Sequence, residues 1–253
     1  MQYIYSNQNR IFKAIKKLKS KKYRIIENKI LLEGVRLIEH ARKLGIEPEL
    51  ICYDSIDRPE ALREREDDIL LESALFKQIS DTVNSQGVIA VVRVEDMQRK
   101  LKPASEHIVV VNGVQDPGNL GTILRTCDAF GFDRVILSRE TCDPYSLKTL
   151  RSSMGGIFGV SLKIGMKNQD IIQYLRREGY QIVVSSLEAE SDLKTLDLQE
   201  KFAIVLGNEA NGVDRDFLES ADLLYKIGMR ESAESLNVGV AAAITLHALS
   251  SYS

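Results

Sequence analysis

Short apolar runs alternate along the chain with stretches in which apolar residues recur every three or four positions, so strands and amphipathic helices are expected to take turns. In the first part, strands are expected over 30–32, 49–53, 69–71 and 88–92, and helices over 35–44, 59–67 and 73–79. In the remainder, strands are expected over 108–111, 134–137, 159–164, 181–185, 202–206 and 223–227, with helices over 122–130, 148–154, 170–178 and 215–220. This alternation predicts an α/β protein whose main sheet is mostly parallel and covered on both faces. The segment 95–106, EDMQRKLKPASE, is polar, contains Pro103 and keeps no period. It reads as a linker between a small N-terminal α/β domain, 27–94, and a larger domain, 107–253.

The stretch 223–250, LLYKIGMRESAESLNVGVAAAITLHALS, gives a strand, an irregular loop and a long apolar helix in succession. Gly228 breaks the strand, and Ser235 or Asn237 can accept an orphan backbone N–H where the helix begins. From Val238 the helix has almost no polar face, because Val240, Ala241, Ala242, Ala243, Ile244, Leu246 and Ala248 surround it. Burial on most sides is therefore expected, with Gly239 allowing close approach by another backbone.

Composition changes this picture in three ways. At 253 residues and 44% hydrophobic content the chain can bury a substantial core. No apolar run reaches the ~20 residues of a membrane helix and no signal peptide is read, so a cytoplasmic location is expected. Cys52, Cys127 and Cys142 are scattered, without CxxC spacing, and His40, His107 and His247 lie far from them in sequence. Neither disulfides nor a metal site is expected. The net charge of −2 conceals an asymmetry: residues 1–26 hold Arg10, Lys13, Lys16, Lys17, Lys19, Lys21, Lys22 and Arg24 with no acid. This +8 segment reads either as a basic arm for a polyanion or as a solvated first helix, since Ile11, Phe12, Ile15 and Leu18 form an apolar stripe.

Three strand-to-loop junctions carry the candidate chemistry, since open α/β sheets bind ligands at the carboxyl ends of their strands. The first is Asn112 and the run DPGNLGTILRTCDAFG. It lacks both the GxGxxG spacing of dinucleotide sites and the GK[ST] ending of phosphate-binding loops. Gly118 and Gly121 still permit close approach of an anion to helix N–H groups, with Arg125 one helical turn in. The second junction is Asn208, Glu209, Ala210, Asn211 and Gly212. The third is the loop from Met229 to Ser235. All three are expected to converge on one pocket.

Taken together, DPGNLGTILRTCDAFG, LGNEANGV (206–213) and IGMRESAESLNVGVAAAITLHAL (227–249) resemble, in this order, the three motifs of the SpoU, or TrmH, branch of the knotted SPOUT RNA methyltransferases. More weakly, 30–94 is similar to the substrate-binding domain that precedes the catalytic one in many members. The resemblance implies a deep trefoil knot, S-adenosyl-L-methionine as cofactor, a ribose 2′-hydroxyl of RNA as acceptor, and a homodimer joined through the knot region. Ribosomal RNA is favoured over transfer RNA, and a catalytically silent RNA-binding protein is the rival. The cofactor would lie near Leu206, Gly207, Ile227, Met229 and Leu236. Arg125 matches the arginine assigned to the acceptor hydroxyl or its phosphate, and Asn119 the asparagine one helical turn before it. Glu209, Ser235 and Asn237 would orient Arg125 and the bound nucleotide.

Overall fold

The N-terminal alternation folds into a five-stranded sheet. In the computed structural model, which describes residues 2–54, 62, 68–99, 105–208, 211–230 and 235–250, its strand order is β1 (Gln2–Ile4), β4 (Ile69–Leu71), β3 (Leu50–Tyr53), β5 (Val88–Arg93) and β2 (Lys29–Glu33). β1, β4 and β3 are parallel, and β5 runs antiparallel to both β3 and β2. The period-two alternation of β5 sends Val88, Ala90 and Val92 to one face, with Leu37, Ile38 and Ala41 of α3 (Val35–Lys43). Ile89 and Val91 go to the other, with Phe12 and Ile15 of α1 (Arg10–Lys17) and Phe76 and Ile79 of α4 (Ser73–Ile79).

The basic segment is therefore not a separate arm. β1 pairs with β4, and Phe12, Ile15 and Leu18 are buried, so residues 2–18 belong to the N-terminal fold. Arg24, in α2 (Lys21–Glu27), is also removed from the basic surface: its guanidinium is buried and donates to the carbonyls of Leu18 and Lys19, at 2.7 and 2.8 Å, and to the Asp143 carboxylate. The stretch read as linker begins with helix α5 (Val94–Arg99), which buries Met97. The helix expected over 59–67 lies outside the described residues, save for the buried Leu62.

The second sheet has seven strands, all paired in parallel, in the order β10 (Ser191–Asp192), β12 (Leu223–Lys226), β9 (Gln181–Ser185), β11 (Phe202–Leu206), β6 (Ile108–Val111), β7 (Arg134–Ser138) and β8 (Ser161–Met166). α6 (Pro117–Ala129), α7 (Leu147–Ser152) and α10 (Val238–Leu249) pack on one face, and α8 (Asn168–Arg177) and α9 (Arg215–Glu219) on the other. Burial on both faces explains why β6 and β11 read as unbroken apolar runs.

α10 is not buried on most sides within the chain. Ala242, Thr245, Leu246 and Leu249 are covered, but Val240, Ile244, His247 and Ala248 form an exposed stripe at helical spacing. A groove of about 670 Å³ runs beside that stripe, lined by Phe130, Leu193, Ile227, Ile244, His247 and Ala248 among others. Among the described residues, two ion pairs join the domains: Arg24 with Asp143, and Arg151 of α7 with Glu33 of β2 at 3.2 Å. Burial alone would push the Glu33 carboxyl up, but hydrogen bonds from Ser80, Thr82, the Asp81 N–H and Ser85 outweigh it and hold the group below its ordinary range.

Candidate active site

Each chain turn at the site follows from the end of a strand. After β11 the chain bends back within five residues: the Asn208 N–H donates to the Gly212 carbonyl at 2.9 Å and the Gly212 N–H to the Asn208 carbonyl at 3.1 Å. Gly207 is required where this bend closes, because a Cβ there would lie 2.2 Å from the Gly212 carbonyl carbon. The bend is fastened to β6 through Asn112, which is buried. Its side-chain oxygen accepts from the Asp214 N–H at 2.8 Å, and its amide donates to the Asp214 carboxylate at 2.9 Å. The Asn168 amide also donates to that carboxylate, at 2.8 Å.

A cavity of about 420 Å³ opens at the carboxyl ends of β11, β12 and β9. Leu206 and Gly207 line it from the first, Tyr225, Lys226, Ile227 and Met229 from the second, and Ser235, Leu236, Val238 and Ala241 from the start of α10. All five residues expected to hold the cofactor, Leu206, Gly207, Ile227, Met229 and Leu236, therefore share one wall system, with Ser235 among them. Tyr225 is buried, and its hydroxyl lies 3.1 Å from Thr245 Oγ1 of α10; burial pushes its titration well up. The volume falls within the range of small-molecule sites, ~300–1,000 Å³.

The third contributor to the cavity differs from the one expected. Ser185, Ser186, Leu187 and Glu188, after β9, line it, whereas the loop after β6 does not. Sheet order gives the reason: β9 stands between β11 and β12, while β6 lies on the far side of β11. The strand end at Ser185 and Ser186 carries no glycine-rich signal, and only its place in the sheet reveals it.

The loop after β6 meets the site by another route. Asp116 caps α6, accepting from the Gly118 and Asn119 N–H groups at 2.7 and 3.0 Å, and its carboxyl is held below its ordinary range by Lys148, with help from those N–H groups. The Asn237 side-chain amide donates to Asn119 Oδ1 at 2.9 Å, while Asn237 Oδ1 accepts from the Gly239 and Val240 N–H groups, at 2.9 and 3.3 Å. Asn237 thus caps α10 and ties it to α6. Next along these helices Gly239 faces Thr122, where a Cβ would sit 3.1 Å from the Thr122 methyl, so the close neighbour at Gly239 is a side chain rather than the expected backbone.

Arg125 stands apart from the cavity. It is exposed on α6, it does not line the cavity, and its guanidinium meets no partner among the described residues. Nor is it a single turn from Asn119: six residues at ~3.6 per turn place the two on different sides of the helix. Glu209 lies outside the described residues. Among the described residues no His, Cys, Asp and Glu group suited to a metal occurs, and no helix is long and apolar enough to cross a membrane.

The order of these loops on a parallel sheet is matched by known proteins. A family model described as the SpoU rRNA Methylase family matches residues 106–247, more than half of the chain. The chain belongs to this family. A second model, described as an MRM3-like substrate binding domain, matches residues 9–90. The chain is 36% identical to the 23S rRNA (guanosine(2553)-2'-O)-methyltransferase RlmP of Bacillus subtilis, over 98% of its own length and 99% of that protein's. It is 37% identical to the 23S rRNA (guanosine-2'-O-)-methyltransferase RlmB of Coxiella burnetii, over 55% and 56% of the two chains. Among solved structures, the AdoMet-bound rRNA methyltransferase from Sinorhizobium meliloti aligns with a TM-score of 0.82 at 30% identity, over 98% and 96% of the two chains.

Proposed function

We propose that this SpoU-family chain transfers a methyl group from S-adenosyl-L-methionine to a ribose 2′-hydroxyl of ribosomal RNA. The observation that carries this reading is the cavity in which Leu206, Gly207, Ile227, Met229 and Leu236 come together from three separated segments. Apolar side chains beside exposed backbone at strand ends suit a flat purine, whose edges the peptide groups can read while leucine, isoleucine and methionine cover its faces. The relatives named above act on large-subunit RNA, which favours ribosomal over transfer RNA here.

When bound, the cofactor supplies an activated methyl group. The chain's own work is to place the acceptor oxygen in line with it and to stabilise the charge that develops there. Arg125 supplies that charge: a guanidinium has a pKa above ~12 and is a poor base, but its planar fork can grip a phosphate and face a nascent alkoxide together. Its exposure leaves it open to incoming RNA. Asn119 and Asn237 hold the starts of α6 and α10 in fixed relation, Ser235 lines the cavity rim, and Glu209 orients Arg125.

We infer further that the chain is a homodimer joined through the exposed stripe of α10, because Val240 and Ile244 with the adjacent groove are costly to leave wet. The bend from Gly207 to Gly212, fastened to β6 by Asn112, supports a trefoil knot in this region. The bacterial relatives named above favour the cytoplasm as its location. Ribose-methylation mapping of total RNA from cells with and without the gene tests the activity: one lost 2′-O-methyl site in ribosomal RNA is the expected result, and an unchanged map overturns it.

A further inference from the structure

β1 occupies the outer edge of the five-stranded sheet and precedes residue 9, where the match to the substrate-binding domain begins. Its alternation turns Ile4 into the core and Tyr3 and Tyr5 to the other side, where they are 56% and 72% exposed. Their rings lie 6.1 Å apart, centroid to centroid, at 38°. Ile4 anchors the strand to β4, so the two rings contribute little to the core, and they forgo the burial that aromatics ordinarily gain. After Tyr5 the chain turns, with the Asn9 N–H donating to the Ser6 carbonyl at 3.1 Å, and enters α1. Arg10, Lys13, Lys16 and Lys17 of that helix are exposed, and the Lys13 ammonium reaches back to the Gln8 side-chain oxygen within the turn. Cationic surface thus begins where the tyrosine pair ends, and residues 1–26 contain no acid.

Resting on the reading of this chain as an RNA methyltransferase, we propose that Tyr3 and Tyr5 form a stacking platform for unpaired bases of the RNA substrate, with Arg10 and Lys13 neutralising the flanking phosphates. Every base presents a π-face, so an exposed aromatic pair holds single-stranded RNA without reading its sequence. Bases inside a duplex are already stacked on one another and cannot use such a platform. The competing occupant is a protein strand added to the open edge of β1. Strand addition works through backbone groups and does not call for two exposed rings, and lysines beside an edge oppose it.

The test uses the full-length protein and two fluorescein-labelled probes, a single-stranded oligouridine of about 12 nucleotides and a blunt RNA duplex of the same length. A double variant, Tyr3→Ala with Tyr5→Ala, should bind the single strand about tenfold more weakly and the duplex nearly as before, with an unchanged salt dependence. Tyr3→Phe with Tyr5→Phe should restore binding. Arg10→Ala with Lys13→Ala should instead lower the salt slope by about 1–2 on both probes. Wild-type affinity of the alanine variant for the single strand, or an equal loss on the duplex, overturns the platform. So does a variant that changes only self-association, which would assign the edge to a protein strand. Calorimetric titration with S-adenosylmethionine keeps the two readings apart: binding by every variant leaves the methyltransferase reading standing whatever the RNA result, while its absence in the wild type sinks that reading and not the platform.

Discussion

The two sheets of this molecule present their functional surfaces by opposite means. In the seven-stranded sheet the cavity is a property of the chain's path: three parallel strands end side by side, and one bend, closed by Gly207 against Gly212, shapes a wall. In the five-stranded sheet the candidate surface is made of side chains that project from an ordinary edge strand and helix, namely Tyr3, Tyr5, Arg10 and Lys13. A site built from path is intolerant of an added atom. A site built from projecting groups should lose function in increments, one residue at a time.

The strongest test of that contrast is Gly207→Ala. The new Cβ would meet backbone rather than a yielding side chain, and overpacking of that kind costs about 3 kcal/mol, so cofactor affinity should fall on the order of 100-fold. Calorimetry with S-adenosylmethionine measures it, and near wild-type binding would show that the bend relaxes. Arg125→Ala should act on rate instead. Turnover in single-turnover methylation at saturating cofactor should drop by about 10²-fold while cofactor affinity stays within about twofold. An unchanged rate would make Arg125 a surface arginine, and the mechanism proposed for it would be wrong.

Val240→Asp with Ile244→Asp probes the exposed stripe of α10, and light scattering should shift from two chains to the 28.4 kDa of one. A dimer that survives both charges is joined elsewhere. Asn237→Ala removes the cap of α10 and its bond to Asn119, which should cost about 1 kcal/mol in urea unfolding. Smaller still is a pH effect from Glu33. Its carboxyl titrates below the ordinary 4.5 when folded, so its contribution to stability is complete above that value and fades as pH falls through the lowered one. Wild type should therefore be more stable than Glu33→Gln at neutral pH and lose that advantage in acid, as urea midpoints across a pH series would show.

Reading the sequence recovered most elements of the second sheet, since burial on both faces leaves β9 and β11 as plain apolar runs at 181–185 and 202–206. β1 and β10, of three and two residues, are too short to display a period. The basic segment left two readings open because lysines dominate it, while Phe12, Ile15 and Leu18, which help bind it into the fold, are a minority stripe. At the site, the five residues expected to hold the cofactor were named through motif resemblance, and all five line the cavity. The contribution of Ser185 to Glu188 was hidden because adjacency in a sheet is not adjacency in sequence. The outward stripe of α10 was hidden for a different reason: a helix apolar on all sides gives no clue to which side its own chain covers.

The ion pairs Arg24–Asp143 and Glu33–Arg151 bind the two sheets into one body at two separate points. Two points of attachment resist rotation in a way that one does not, so they oppose a change in the distance from the Tyr3–Tyr5 edge to the cavity. If the Tyr3–Tyr5 edge grips RNA as proposed, the molecule would work as a caliper. A nucleotide would then be selected when the folded RNA holds it at the caliper's span from the segment gripped at the far jaw, and neighbouring riboses of the same chemistry would be passed over.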